Sequence, residues 1–383
     1  MITPIPLSLY IHFPWCVQKC PYCDFNSHQQ SANLDESAYI EALLKDLEFS
    51  LPQIWGRPIH TIFMGGGTPS LFSGAAIDEL LSALRARLNL SADIEISMEA
   101  NPGTADSANF KHYFQSGINR LSIGMQSMDN QQLKTLGRIH QVEESLQALK
   151  MARVAGFENI NLDLMFGLPG QEQNAALAEL QQVIALNPEH ISYYQLTIEP
   201  NTWFHHQPPI LPDDDSLYAM HQAGIRLLAD NGYKRYEISA FAKADKHARH
   251  NINYWQFGDY LGIGAGAHSK LTMNESTTIE RMVRQKQPQA YLQTAGTKES
   301  LISHEKVNVA DRPFEFMMNA LRLIDGVDDK LFPQRTMLEL DEIAKTRRLA
   351  TDNGLLIENN KRIQASASGI NYLNNLLEYF LPK

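Results

Sequence analysis

Through the first two-thirds of the chain, short apolar runs alternate with segments whose apolar positions recur every three to four residues. The short runs fall at 7–13, 61–64, 94–98, 120–124, 160–166 and 190–198, each enriched in β-branched or aromatic residues. That enrichment predicts strands. Between them, 77–84, 142–155 and 175–186 carry apolar residues at i, i+3, i+4 and i+7, which predicts amphipathic helices; Pro188 stops the last one. Strand–helix repetition builds a parallel sheet covered by helices. Six such units are too few to close an eight-unit barrel. The expected fold is therefore α/β, a partial (β/α)6 barrel of TIM type. In such a fold the loops at the carboxyl ends of the strands carry the chemistry.

The pattern breaks at 207–215, where Pro208-Pro209, Pro212 and Asp213-Asp214-Asp215 cluster. A helix is expected at 217–230 and a strand at 236–241, while 250–268, rich in glycine and aromatics, fits neither period. Beyond 306 the sequence predicts helices at 313–323 and 337–350, a hairpin at 354–363 turning at Asn359-Asn360, and a helix at 369–380. This order resembles an α+β winged-helix-like domain. Three regions follow: a core of 1–235, a connecting segment of 236–305 and a C-terminal domain of 306–383.

Composition narrows the class. A chain of 383 residues, 44% hydrophobic and 20% charged, can bury a large core. Its net charge of -10 argues against general nucleic-acid binding. No apolar run approaches the roughly 20 residues of a membrane-spanning helix. The N-terminus lacks a basic, cleavable leader, and the thiols are free of a secretion signal, so a cytoplasmic location is expected.

All three cysteines lie within eight residues, as Cys16-Val-Gln-Lys-Cys20-Pro-Tyr-Cys23. An odd, tight set does not form a disulfide framework. Three thiolates suit a metal. Zinc would need a fourth ligand, for which His12 and His28 are candidates. A Cys20–Cys23 redox pair is another option. A [4Fe–4S] cluster held at three irons would leave the fourth open.

Further motifs stand at or near successive strand ends: Gly65-Gly66-Gly67-Thr68-Pro69, Glu99-Ala-Asn-Pro102, Gln126, and Asp163 ahead of Gly167-Leu-Pro169. Glycine runs let main-chain groups approach a ligand. Carboxylates such as Glu99 and Asp163 can accept from ribose hydroxyls or an amine.

Tyr10-Ile-His-Phe-Pro14 followed by CxxxCxxC resembles the radical S-adenosylmethionine superfamily. Within it, YIHFPWCVQKCPYCDF, GGGTPS, MEANP, GRIH and NLDLMFGLPG resemble the HemW family of haem chaperones, relatives of the oxygen-independent coproporphyrinogen III oxidase HemN. The resemblance covers nearly the whole chain. It implies that Cys16, Cys20 and Cys23 hold a [4Fe–4S] cluster whose fourth iron S-adenosylmethionine chelates. It also implies that Tyr10, Gly66, Gly67, Thr68 and Glu99 contact S-adenosylmethionine. Tyr22, Gln126, Arg138 and Asp163 match a second S-adenosylmethionine site of the oxidase.

The chain departs from the oxidase pattern where a fourth cysteine would follow Cys23; Phe25 stands there, and only 15 residues precede Cys16. His250-Asn251-Ile-Asn-Tyr254-Trp255 matches the HNxxYW motif that the family associates with haem. A histidine is a common axial ligand of haem iron, and Tyr254 and Trp255 offer flat faces for a porphyrin. Lys243, Lys246, His247 and Arg249 just before it would supply positive charge for the haem propionates. Gly262-Ile-Gly-Ala-Gly-Ala267 is read as tight backbone packing and not as a dinucleotide loop.

The resemblance thus implies a haem carrier that passes its cargo to apoproteins, membrane-associated respiratory enzymes among them, with a second copy of the chain as a further partner. The alternative it implies is oxidative decarboxylation of coproporphyrinogen III.

Overall fold

A computed structural model describes residues 5–30, 34–273, 277–359 and 361–382. Among these residues one sheet contains twelve strands. In chain order they are β1 (Leu7–Phe13), β2 (Ile59–Gly66), β3 (Leu90–Ala100), β4 (Arg120–Gln126), β5 (Ile160–Phe166), β6 (His190–Gln195), β7 (Lys234–Arg235), β8 (Ala240–Ala242), β9 (Asp259–Ile263), β10 (His268–Met273), β11 (Thr278–Arg284) and β12 (Leu301–Lys306). Across the sheet they run β12-β11-β10-β9-β1-β2-β3-β4-β5-β6-β8-β7. The stretch from β9 through β6 is parallel, and the outer strands on both sides are antiparallel. The six expected strands form its heart, and β9 extends it from the segment that fitted neither period.

The two faces of the sheet differ in chemistry. On β1, Leu7, Leu9, Ile11 and Phe13 are buried in the main hydrophobic core. That core also takes in Tyr39, Leu43 and Leu47 of the helix Glu36–Ile54, and Ile77, Leu80 and Leu84 of the helix Gly74–Arg87. The intervening Ser8, Tyr10 and His12 occupy the other face, where polar groups satisfy one another. Thr61 donates to Ser8 across the β1–β2 pair at 2.7 Å. Asn161 of β5 reaches both Ser122 of β4 and Asp163, each at 2.7 Å.

The short helix Arg249–Trp255 packs on this polar face. Both oxygens of Glu95 accept its first backbone N–H groups, those of Arg249 and His250, at 3.1 Å. Asn253 donates to Ser8 at 2.9 Å. A second core, from Tyr236 to Phe380, joins this region to the C-terminal helices. Residues 236–305 therefore contribute to both cores and supply five strands of the common sheet.

Several local expectations differ from the structure. The single strand at 236–241 is instead β7 and β8. Residues 337–350 do not form one helix: Met337 adopts a left-handed φ of 59° that ends the helix Leu331–Thr336, and the helix Ala344–Asp352 follows a short 3-10 turn. The last helix is split at Tyr372, whose dihedrals leave the helical region, into Ala367–Asn371 and Leu373–Glu378. In the expected hairpin, Arg362–Ile363 pairs with Val327–Asp328, while Leu356 bridges Ala365. The turn residue Asn360 lies outside the described residues. No helix among the described residues is long and apolar enough to cross a membrane.

Candidate functional site: the cysteine loop and its two faces

The chain leaves β1 at Phe13 and returns through a small parallel bridge in which Trp15–Cys16 pairs with His28–Gln29. That closes the cysteine loop at the carboxyl end of the sheet. The glycine run after β2 fixes it. Gly67 N–H donates to Phe13 O at 2.6 Å and Thr68 N–H to Trp15 O at 2.7 Å. A Cβ on Gly67 would lie 2.5 Å from Trp15 O, so no side chain fits there. Gly66 takes φ +111°, and a Cβ there would meet the His12 ring at 2.4 Å.

On one side of the loop lies a cavity of about 440 Å³. Cys16, Cys20 and Cys23 line it together with Tyr22, Gly66, Gly67, Thr68, Glu99, Gln126, Arg138 and Asp163. Motifs spread over 148 residues of sequence thus meet in one place, because each lies in or follows a strand of the parallel sheet. Ser122, Ser192, Tyr194 and Glu199 also line the cavity. The sequence reading missed them, although the alternation of Ser192 and Tyr194 on β6 was the available signal.

The cavity is electrostatically unusual. Burial, and then the neighbouring Asp163, push Glu99 up to about 7; its Oε2 accepts from Gly66 N–H at 3.2 Å. Burial likewise raises Asp163, against hydrogen bonds from Asn161 and Ser122. Two acids held this way suit a cationic or multi-hydroxyl ligand. Arg138 donates to Gly124 O at 2.9 Å and sits 3.6 Å from Cys20 Sγ. Gln126, in a left-handed φ of 68°, accepts from the Tyr194 hydroxyl.

The thiols fit an iron–sulfur cluster in kind. All three line the cavity wall, and a cluster offers each thiolate its own iron. Neither histidine considered for zinc lines this cavity. His12 accepts from the Tyr10 hydroxyl at Nδ1 and donates from Nε2 to Asn26 O, at 2.9 and 2.8 Å. His28 Nε2 faces Lys286 O at 3.2 Å.

Tyr10, expected beside the same ligand, does not line this cavity, although its hydroxyl is near enough to Glu99 for that charge, after burial, to raise its pKa. With its hydroxyl on His12 it lines a second cavity, of about 500 Å³, on the opposite side of the loop. Tyr254 of the HNxxYW motif lines that groove as well. Trp255 lies further along, with Arg322 stacked 4.4 Å from its ring centre. Asn251 is half-buried on the same helix.

His250 is turned inward. It is 1% exposed. Thr61 already donates to Ser8, so the 2.8 Å contact to Thr61 is a donation from His250 Nδ1; Nε2 then accepts from the Tyr254 hydroxyl at 3.2 Å. Burial lowers its pKa to about 3. In this conformation neither ring nitrogen is available to an iron. The basic stretch before it is also occupied. Arg249 pairs with Asp93 at 3.1 Å and Lys243 with Asn187 at 2.6 Å, both near the amino ends of the parallel strands and away from the cysteine loop. Lys243 and Arg249, expected to receive haem propionates, are thus engaged with Asn187 and Asp93.

Comparison with known proteins agrees with this architecture. A family model of the radical SAM superfamily matches residues 10–180, and one of the HemN C-terminal domain matches 307–371. The chain is 48% identical to the heme chaperone HemW of Escherichia coli over the full length of both, and 47% identical to that of Haemophilus influenzae over 99% of this chain and 98% of the other. A solved structure of the radical SAM enzyme coproporphyrinogen III oxidase (HemN) from Escherichia coli superposes with a TM-score of 0.83 at 25% identity, covering 98% of this chain and 90% of that one. With near-complete matches at these identities, the chain belongs to the HemW family of radical SAM proteins.

Proposed function

We propose that this protein is a haem chaperone: it binds haem and passes it to acceptor apoproteins, on a scaffold that carries a [4Fe–4S] cluster and S-adenosylmethionine. The observation that carries this reading is the full-length match to two heme chaperones. When bound, the cluster supplies the electron with which this superfamily starts radical chemistry on S-adenosylmethionine.

The chain's own residues divide the work. Cys16, Cys20 and Cys23 are the cluster ligands, with Arg138 placed to offset the charge of the Cys20 thiolate. The buried Glu99 suits the ammonium of S-adenosylmethionine, and the Gly66-Gly67-Thr68 backbone suits its polar groups. Tyr22, Gln126 and Asp163 line the same cavity and would hold a nucleoside further in. Haem-accepting enzymes, including membrane-associated ones, would be the partners, and a cytoplasmic location follows from that role.

A second reading, oxidative decarboxylation of coproporphyrinogen III, is favoured by the likeness to HemN. Phe25, 60% exposed where the oxidase pattern has its fourth cysteine, counts against it. Anaerobically reconstituted protein incubated with coproporphyrinogen III, beside a HemN control, separates the two. The chaperone reading expects no protoporphyrinogen, and haem transfer to an apo-acceptor in a parallel assay. Turnover comparable to the control would overturn it.

A further inference from the structure

We infer that the groove behind the cysteine loop is the haem site, with His268 as the ligand to iron and Lys19 and Lys286 as partners of the propionates. This rests on the chaperone reading and assigns its cargo to a place.

The groove is walled by Asn26 and His28 on the loop, by Tyr254 and Tyr260, and by Gly266 and His268 at the start of β10. About 500 Å³ is within the usual range of small-molecule sites, roughly 300–1,000 Å³. Three histidines line it, but they differ in what their rings are doing. His12 has both nitrogens engaged, and His28 Nε2 is directed at Asn26 Oδ1 and Lys286 O. His268 is exposed, and among the described residues no hydrogen bond or ion pair engages its ring. Partial desolvation and then the charges of Lys286 and Arg281 lower its pKa, which keeps the imidazole neutral and able to bind a metal.

The surroundings suit a flat, dianionic metalloporphyrin. Tyr254 and Tyr260 meet edge to face at 4.5 Å and give the groove an aromatic wall. Phe25 adds an exposed ring at the rim. Lys19 and Lys286 are exposed cations in its lining, against the single carboxylate of Asp24. His250 then has a positioning role: through Nε2 it holds the Tyr254 hydroxyl and so the wall.

The wall is also built to keep its shape. Asn26 donates to Ala265 O and Lys286 O, each at 2.9 Å, and a Cβ on Gly266 would collide with it at 2.2 Å. The close backbone at 262–267 thus ties the loop to β10 and β11. Asp24, Phe25 and Ser27 line both the groove and the cluster cavity, so one loop separates cargo from cluster.

The test is titration of the full chain with ferric haem, followed by Soret absorbance, for the wild type, His268→Gly and Lys286→Glu. Iron and sulfide content and melting temperature serve as fold controls. The inference expects saturable wild-type binding, at least about tenfold weaker binding by His268→Gly, and recovery of the histidine-ligated spectrum when free imidazole is added. Lys286→Glu should bind more weakly and with a shallower salt dependence. If the wild type binds but both variants match it in affinity, spectrum and salt response, the inference falls and the chaperone reading stands. If the wild type shows no saturable binding, both fall.

Discussion

The two faces of the cysteine loop are built by different rules. The cluster face gathers side chains from β3 through β6 and from the loops at the carboxyl ends of β1 and β2, and many of its contributors sit in short motifs. The groove face gathers residues from 10–28 and 254–286, with Asn201 beside them, and β9 inserting beside β1 brings the two main stretches together. The cluster face holds buried acids whose proton affinity is raised. The groove face holds imidazoles and lysines. A cationic cofactor belongs on the first and an anionic cargo on the second.

The largest effect that can separate the faces is Cys20→Ala. It should abolish the cluster, read as iron and sulfide, while haem affinity changes by no more than about threefold, since Asn26 and not a thiol anchors the groove wall. Loss of both together would show that the faces are not separable.

Next comes His250→Ala. Removing a buried ring that serves Thr61 and Tyr254 should cost about 2–4 kcal/mol in denaturant unfolding, from the orphaned Tyr254 hydroxyl, the donor lost to Thr61 and a cavity. Haem should bind more weakly with its axial histidine retained. A spectrum that loses histidine ligation in this variant, but not in His268→Gly, would reverse the assignment.

Glu99→Gln probes the acid side. It should weaken S-adenosylmethionine binding by roughly tenfold, the scale of one lost charge-assisted contact. Its effect on the ligand-free protein has the opposite sign. The folded pKa of Glu99, about 7, lies above its ordinary value of 4.5, so the folded state holds its proton more tightly. Stability is therefore present at low pH and lost as pH rises through about 4.5 to 7. At pH 8 the variant should melt about 2–4 °C above the wild type, and at pH 4 the two should coincide. Equal melting at pH 8 would mean that the acid is not strained. A smaller shift, about threefold in haem affinity at low salt, is expected for Lys19→Glu, because an exposed charge is screened.

Much of the fold was legible because hydrophobic runs with β-branched residues form strands wherever both faces are covered. β1 and β5 match the expected bounds, and β2 through β4 extend them by a few residues. What escaped was the polar alternation within those runs. Ser8, Tyr10 and His12 read as interruptions in an apolar strand, yet they line an interior face that the helix Arg249–Trp255 fills. The roles expected for Tyr10 and His250 came from the family motifs that hold them, not from this alternation. A motif records which residues travel together and not which way a ring nitrogen points. His268 carried no motif at all; it is distinguished only by what its ring does not contact.

Equilibrium haem titration of the anaerobically reconstituted wild type decides whether this radical SAM scaffold carries haem. A haem carrier gives a saturable, one-to-one Soret transition with the signature of histidine ligation. A linear, non-saturating rise in absorbance would contradict it and return the protein to coproporphyrinogen chemistry.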